Sequence, residues 1–411
     1  MAPGKKGLIE PVACGVDALP DGILEHILGF LPVEDSGRTS LLARRWRNLW
    51  KSATGLHISC VSENWHDSRI VMRKRKVVED MLRLRGTAPL ETCQLTFGCF
   101  YSEDDKACLN RWLRHIVVTC KVQVFRLENF YYDSFKLDDR PLFSRHLTRL
   151  QLVGVCFEND FCDFSECPSL ERLELDHCFL WVANKISSES LKRLSITNCD
   201  LGVAHNILIC VPSVVSLCLD SHMSSPPLLG TMPLLREAFV RVSTENNYIL
   251  RSPPTHSGKK NPYSRICDDE DCYSCHDIIE NSSKCMFLEG LSEAQKLTLL
   301  SESITFIFGR DLKHCPTFSK LQKLVLSASW CVAPDFTALI FILKNSPVLE
   351  TLILQFYSKV PEHEMEIVGR YHTASRSAAI FEHLRAIHVK CEVVDHIVHK
   401  VLKFLCTYDI Y

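Results

Sequence analysis

A short leucine pattern recurs along most of this chain, and no other feature restricts its fold as strongly. Its two clearest copies are LERLELDHC, which begins at Leu170, and LKRLSITNC, which begins at Leu191, 21 residues later. In each copy the last two apolar residues are separated by one polar residue, so they point to the same side of a short strand. The pattern therefore predicts a series of strands whose apolar sides share one core.

Further copies occur on both sides of this pair. Those at 147–155 and 214–219 lie 23 residues from it, within the ~20–29 residues of a leucine-rich repeat. Because no single repeat can bury its apolar side, we expect an α/β chain with a leucine-rich-repeat solenoid over residues 90–370. The weaker copies are Leu90/Cys93/Leu95, Val122/Phe125/Leu127, Leu235/Ala238/Val240, Leu321/Leu324/Leu326, Leu349/Leu352/Leu354 and Leu384/Ile387/Val389.

The residues between the leucines face away from this core, and a solenoid binds its partners with that side. They carry both signs of charge, which favours a protein or peptide ligand over an anion. Taken alone, each of these residues is better explained as an ordinary solvated side chain of the surface. The candidate substrate-binding residues are Arg149, Gln151, Arg172, Glu174, Asp176, Arg193, Ser195, Thr197, Ser216 and Asp220.

Cysteine is abundant, at 21 residues, but the number is odd and the first residues contain no apolar signal segment. We therefore expect free thiols in cytoplasm or nucleus rather than the disulfide framework of a secreted protein. Cys178 and Cys199 end the two clear repeats, where small buried side chains pack at a turn. Packing explains these thiols better than redox chemistry does.

The segment before the repeats predicts three short helices. Ile23, Leu24, Ile27, Leu28 and Leu31 follow Leu19-Pro20 at helical spacing, Pro32 ends that helix, and ARRWRNLW begins the last one. Such a small unit cannot bury all of its apolar surface, so part of this face should contact a partner.

The order LPxxIL, LP and ARRWRxLW over residues 17–60 resembles an F-box, the module that joins a protein to a Skp-type adaptor in SCF ubiquitin ligases. Gly37 departs from the family, which usually has an aliphatic residue there, and this glycine could weaken adaptor binding. A helical hairpin packed on its own protein is the alternative. The resemblance implies these adaptor-binding residues: Leu19, Pro20, Ile23, Leu24, Ile27, Leu28, Leu31 and Pro32.

The regions flanking these two units also have recognisable patterns. Residues 1–16 predict a disordered tail, and 61–89 predict an amphipathic linker helix with a basic face, which could alternatively be read as a nuclear-localisation or nucleic-acid-binding signal. Residues 371–411 resemble the start of an FBD-type module that caps the open end of the solenoid. The linker's apolar stripe is Val77, Val78, Met81, Leu82 and Leu84, and the cap's is Val394, Ile397, Val398, Val401, Leu402 and Leu405.

Residues 251–290 interrupt the repeats and are rich in Pro, Ser, Asn and charge, which is typical of a loop. Cys272 and Cys275 have the C-x-x-C spacing of a zinc ligand pair, but the other ligands are irregularly placed. We expect no metal and no cofactor. The alternative is a structural zinc held by ligands from Cys267, Cys272, Cys275, His276 and Cys285.

The net charge of −2 gives no general reason to bind nucleic acid or a membrane surface, and no catalytic motif is present. The F-box resemblance implies a non-enzymatic, substrate-recognition subunit of an SCF-type ligase, linked through a Skp-type adaptor to a cullin and binding an unknown protein substrate. Two alternatives remain open at this stage. The chain could be an interaction protein with a degenerate F-box that recruits no ligase, or a small-molecule-gated F-box receptor.

Overall fold

The repeated leucines lie on neighbouring strands of one large sheet. The computed structural model describes residues 16–61, 68–98, 103–129, 135–157, 162–181, 183–201, 207–222, 227–243, 287–301, 315–331, 336–357, 363–370 and 383–406. The predicted tail and the Cys-rich loop therefore lie outside the described residues, apart from Val16 and the last four residues of the loop.

The strands, in chain order, are β1 Gly55–Cys60, β2 Thr92–Phe97, β3 Val124–Asn129, β4 Arg149–Val153, β5 Arg172–Asp176, β6 Lys185–Ser187, β7 Arg193–Asp200, β8 Leu208–Cys210, β9 Ser216–His222, β10 Leu228–Leu229, β11 Glu237–Ser243, β12 Lys296–Ser301, β13 Lys323–Ser327, β14 Thr351–Gln355, β15 Met365–Arg370 and β16 Ala386–Cys391. The α-helices are α1 Asp21–Leu28, α2 Val33–Arg38, α3 Ser68–Arg85, α4 Glu103–Arg114, α5 Phe287–Gly290, α6 Thr337–Lys344 and α7 His396–Cys406.

Thirteen of the described strands form the main sheet, in the order β1-β2-β3-β4-β5-β7-β9-β11-β12-β13-β14-β16-β15. Its strand pairs are parallel except that of β15 with β16, which is antiparallel. A second sheet has the order β10-β8-β6. Neighbouring strands of the main sheet thus follow chain order almost throughout, as expected when each repeat contributes one strand.

One face of the main sheet is buried and the other is open. Leu173 and Leu175 of β5 pair in register with Leu194 and Ile196 of β7, and all four are buried. The residues between them point to the other side, which we call the open face of the sheet. One continuous core of apolar side chains runs beneath the strands, from Val33 near the N-terminus to Leu405 near the C-terminus.

The turn after each of three central strands has the same backbone conformation. Gly154, His177 and Asn198 occupy equivalent positions after β4, after β5 and within β7, with φ of 69°, 50° and 52°. A left-handed residue reverses the side on which the next side chain lies, so Cys178 and Cys199 point into the core and are fully buried. The two thiols thus occupy the buried turn positions that the repeat pattern predicts.

Three strands depart from the sequence-based expectation. β1 falls inside the range 17–60 assigned to the F-box-like unit, yet it pairs with β2, so residues 55–60 belong structurally to the sheet. β12 adds a strand where no repeat was recognised. β15 runs antiparallel at the end of the sheet, within the range 90–370 where a series of repeats was expected.

The buried faces of the two amphipathic helices are narrower than the apolar stripes predicted from the sequence. In α3, Val78 and Leu82 are buried and Met81 packs against the core, whereas Val77 and Leu84 are exposed. Gly86, with φ 66°, follows the last residue of this helix. In α7, Val398, Val401 and Leu405 are buried, whereas Ile397, and Val394 just before the helix, are exposed.

Candidate functional site

The elements before β1 form a small helical unit with its own core. This N-terminal helical unit (16–54) contains α1, α2 and short 3₁₀ turns at Thr39–Leu41, Arg45–Arg47 and Leu49–Ser52. Its core consists of Leu24, Leu28, Trp46, Leu49 and Ala53, with Leu19, Leu31 and Trp50 packed against them. Part of the predicted adaptor-binding set thus packs inside the unit.

An ion pair holds the beginning of α1 against the tryptophan-bearing turn. The Nε of Arg45 donates to Oδ1 of Asp21 at 2.8 Å, and its Nη2 donates to the same oxygen at 2.6 Å and to the carbonyl of Leu19. Since Asp21 is in the first turn of α1, its carboxylate also interacts favourably with the helix dipole. The exposed side of α1 is therefore held in a defined orientation.

That exposed side is apolar. Ile23 and Ile27 of α1 are 49% and 41% exposed, and Phe30 just beyond the helix is 70% exposed. Leu41 and Leu42, on the turn after α2, are 85% and 71% exposed. Large apolar side chains this exposed are typical of a protein–protein contact surface. We call these five residues the apolar docking surface.

The eight predicted adaptor-binding residues divide into two groups. Pro20, Ile23, Ile27 and Pro32 are exposed and Leu19 and Leu31 are half-buried, whereas Leu24 and Leu28 are completely covered by the unit's own core. Leu24 and Leu28 thus belong to the unit's own core rather than to its exposed side, and adaptor binding by the predicted set stays a prediction. Phe30, Leu41 and Leu42 are also exposed but were not in the predicted set: Phe30 is at helical spacing from Ile27 but lies just beyond α1, and the two leucines follow α2.

Gly37 lies within α2 and is half-buried. A Cβ atom added there would lie 3.7 Å from Cε of Met81 in α3, which is ordinary van der Waals contact. Thus no close approach requires glycine at this position.

The N-terminal helical unit is joined tightly to the sheet. Gly29 and Gly55 are in direct backbone contact, and a Cβ on Gly55 would lie 2.3 Å from the carbonyl oxygen of Gly29. Pro32 forms a parallel bridge to His57 of β1. Arg85, buried at the end of α3, donates to the carbonyls of Ala53 and Pro89. The docking surface is therefore built onto the first edge of the sheet.

The candidate substrate-binding residues all lie on strands β4, β5, β7 and β9, and they share the open face. Arg149, Arg172, Arg193 and Ser216 are paired in register at the strand starts. Gln151, Glu174 and Ser195 form a middle row, and Asp176, Thr197 and Asp220 form a row near the strand ends. Among these ten residues, the arginines thus lie at the strand starts and the aspartates near the strand ends, with Glu174 between them.

The carboxylate of Asp176 accepts hydrogen bonds from its neighbours on β7. Thr197 Oγ1 donates to Oδ1 at 2.8 Å, and Asn198 Nδ2 donates to the same oxygen at 3.0 Å. Partial burial acts to raise the pKa of Asp176, but these donors outweigh it and hold the pKa below its ordinary value. Asp176 is therefore charged at neutral pH and stabilises the turn at the strand ends.

The described part of the chain contains neither a group of metal ligands nor a membrane-spanning helix. No three of its His, Cys, Asp or Glu side chains are placed to hold a metal ion, and none of its helices is long and apolar enough to cross a membrane. The candidate zinc ligands Cys267, Cys272, Cys275, His276 and Cys285 lie outside the described residues.

Comparison with known proteins identifies the helical unit. The F-box domain family matches residues 16–54, the same span that precedes β1. The N-terminal unit is an F-box domain. Over most of its length the chain is also similar to F-box/LRR-repeat proteins of Arabidopsis thaliana.

Three of these relatives illustrate the extent of the similarity. F-box/LRR-repeat protein At3g58930 is 24% identical, over 83% of this chain and 76% of its own. F-box/LRR-repeat protein 13 is 23% identical, over 83% and 76%. F-box/LRR-repeat protein At3g59190 is 24% identical, over 85% and 93%. The similarity extends far beyond the F-box domain and so includes the strands of the sheet.

Proposed function

We propose that this chain is the substrate-recognition subunit of an SCF-type (Skp–cullin–F-box) ubiquitin ligase. Its F-box domain binds a Skp-type adaptor, through which it reaches a cullin, and the open face of the sheet holds a protein substrate. The apolar docking surface is the observation that carries this proposal. A self-contained domain gains nothing from leaving Ile23, Ile27 and Phe30 in water, whereas burial against a partner is favourable.

In this proposal the main sheet is a leucine-rich-repeat solenoid, and residues 371–411 form its FBD-like cap. Support comes from the parallel strand order and from α7, whose buried face closes the core beside the last strands. The names of the Arabidopsis relatives agree with such repeats. We also propose a cytoplasmic or nuclear location, which suits the free cysteines of the described residues.

The chain's contribution to ubiquitin transfer is then positioning rather than chemistry. A substrate held on the open face and a conjugating enzyme held through the adaptor are parts of one assembly, so their effective concentration replaces a bimolecular encounter. The direct packing of the F-box domain on β1 supports this role, because it fixes the substrate surface relative to the adaptor surface.

The test is co-purification of the full chain with a Skp-type adaptor. Replacing both Ile23 and Ile27 by Glu should weaken adaptor binding by about a hundredfold or more, since two charges would enter an apolar contact. Val118→Glu is the matched control, because Val118 is 46% exposed but lies outside the F-box domain. It should leave binding unchanged.

Two outcomes would contradict the proposal. If folded wild-type chain does not bind the adaptor, the ligase role is wrong and the partner of the docking surface is something else. If the adaptor binds but no cullin-dependent ubiquitination of any captured protein is observed, the chain is an interaction protein that recruits no ligase.

A further inference from the structure

Two exposed arginines lie side by side on the open face, and no carboxylate of the described residues forms a direct ion pair with either. Arg172 of β5 and Arg193 of β7 are directly paired in register, so their Cα atoms are about 4.8 Å apart. Both side chains are exposed. Within the described residues, neither guanidinium takes part in an ion pair or a side-chain hydrogen bond.

The nearby carboxylates are engaged elsewhere. Glu174 lies against Arg149, whose Nη2 is 2.9 Å from one carboxylate oxygen and 3.0 Å from the other. Glu171 is paired with Lys192. Glu237, two strands beyond Arg193, is paired with Lys296 at 2.6 Å. Glu171 and Glu237 thus act on Arg172 and Arg193 only at longer range, and each of these carboxylates has its direct ion pair with a lysine.

Such a pair is unfavourable in the isolated chain. Like charges directly opposite each other on neighbouring strands destabilise a sheet, and these positions are exposed, so packing does not require arginine. In addition, Nε of the adjacent Arg149 is covered and has no acceptor within the described residues. The three guanidinium groups of this row thus carry more N–H donors than the hydrogen bonds they form within the described residues.

We propose that Arg172 and Arg193, with Arg149 beside them, bind the carboxylates of a short acidic peptide segment in the protein substrate. This inference rests on the proposed function and specifies the class of its substrate. Arginine suits the role because its planar guanidinium can donate two parallel hydrogen bonds to one carboxylate.

The rest of the open face limits what can bind. Asp176 and Asp220 line the strand ends, and Glu174 lies in the middle row. Glu174 pairs with Arg149 and Asp220 with Arg241, so this part of the face offers no continuous row of free cations to a long uniform polyanion such as a nucleic acid backbone. A peptide with a localised acidic cluster can instead place its carboxylates on the arginines and its neutral residues across the remainder of the face.

The experiment uses the full chain co-purified with its adaptor and a fluorescein-labelled peptide of alternating glutamate and glycine. A glutamine–glycine peptide of equal length is the reference probe, and fluorescence anisotropy measures both affinities. Wild type should bind the glutamate probe about tenfold or more tightly than the reference, and added salt should weaken that binding.

The double variant Arg172→Gln/Arg193→Gln should lose this preference. Lys344→Gln/Lys400→Gln is the matched control, because it removes the same charge from two exposed positions on α6 and α7, outside the main sheet. It should bind the glutamate probe within about twofold of wild type. The arginine variant should also unfold at the same temperature as wild type or higher, since like-charge repulsion is removed.

Three results would overturn the inference: equal binding of both probes by wild type, an unchanged preference in the arginine variant, or equal losses in both variants. A clear fall in the unfolding temperature of the arginine variant would also overturn it, because the arginines would then be structural. Adaptor co-purification is recorded for every variant. A wild-type chain that does not bind the adaptor contradicts the ligase proposal, whereas a wild-type chain that binds the adaptor but shows no glutamate preference contradicts only this inference.

Discussion

Small side chains at the strand ends satisfy the backbone of neighbouring repeats. Cys178 Sγ lies 3.3 Å from the carbonyl oxygen of Leu152, and Cys199 Sγ lies 3.5 Å from that of Leu175. In the next repeat, the hydroxyl of Ser221 donates to the carbonyl of Ile196 at 3.2 Å. A thiol is a weak donor that tolerates burial among leucines, so it fits a position where a carbonyl needs a partner but the surroundings are apolar.

Buried thiols make this fold sensitive to alkaline pH. Burial raises the pKa of Cys331 to about 12, and the side chain is almost completely covered. The pKa of an unfolded cysteine is about 8.5, so folding favours the neutral thiol. That stability is fully present below about pH 8.5 and is lost as pH rises toward the folded-state pKa.

The replacement Cys331→Val removes this titration while keeping a similar apolar volume. Between about pH 8 and pH 10, the unfolding free energy of wild type should fall by about 2 kcal/mol more than that of the variant. Urea unfolding at the two pH values measures the difference. Cys406→Ser, at an exposed position, is the control and should follow wild type. Equal pH dependence in Cys331→Val and wild type would contradict the assignment.

The sequence could predict which residues of α1 are apolar, but not which of them face the domain core. Leu24 and Leu28 are buried, while Ile23 and Ile27 are exposed, and all four lie on one stripe of helical spacing. A helix that packs on its own core and also on a partner is apolar on both contact sides. In the folded domain, Leu24 and Leu28 belong to the same core as Trp46, and this packing distinguishes the inner side of the helix from the outer one.

At the level of elements, the strands with strong repeat patterns were predictable and the variant ones were not. β1 and β12 both follow A-x-x-L-x-[IL], with Ala53 and Ala294 where the pattern expects leucine. The long interruption at 251–290 also breaks the period just before β12. Antiparallel β15 belongs to no repeat, so periodicity carries no information about it.

The contact between α1 and β1 depends on two glycines. Because a Cβ on Gly55 would lie 2.3 Å from the carbonyl oxygen of Gly29, Gly55→Ala must push the F-box domain away from the sheet. We expect a loss of about 2 kcal/mol or more in unfolding free energy, measured by urea denaturation.

Gly37→Ala is the matched control in the same domain. Its Cβ would have room beside Met81, and alanine is the better helix former, so stability should rise by up to about 1 kcal/mol. If Gly55→Ala is as stable as wild type, or if Gly37→Ala is the more damaging change, the described packing of α1 on β1 is wrong.

At the level of the whole molecule, the F-box domain packs directly on the sheet and shares its core, instead of being connected to it only by a flexible segment. Val33 of α2 belongs to the main core, and the domain covers the edge of β1 that no other strand pairs with in the described structure. In the function that we propose, a substrate on the open face would therefore be presented to the ligase at a fixed orientation. This arrangement could not be predicted from the sequence, because it depends on contacts between segments that have no common pattern.

Arg85 should be decisive for this rigidity. Its guanidinium lies between the end of the F-box domain and the start of the repeats, and it donates to the carbonyls of Ala53 and Pro89. Arg85→Met keeps the apolar part of the side chain but leaves both carbonyls without this donor, at a cost of about 2–4 kcal/mol. Hydrogen exchange of residues 49–60 should accelerate, while adaptor binding through the exposed side of α1 persists. Arg83→Met, at an exposed neighbouring position that forms an ion pair with Asp80, should change neither quantity. If the two variants exchange at the same rate, Arg85 does not hold the domains together, and the fixed orientation of the substrate surface loses its main support.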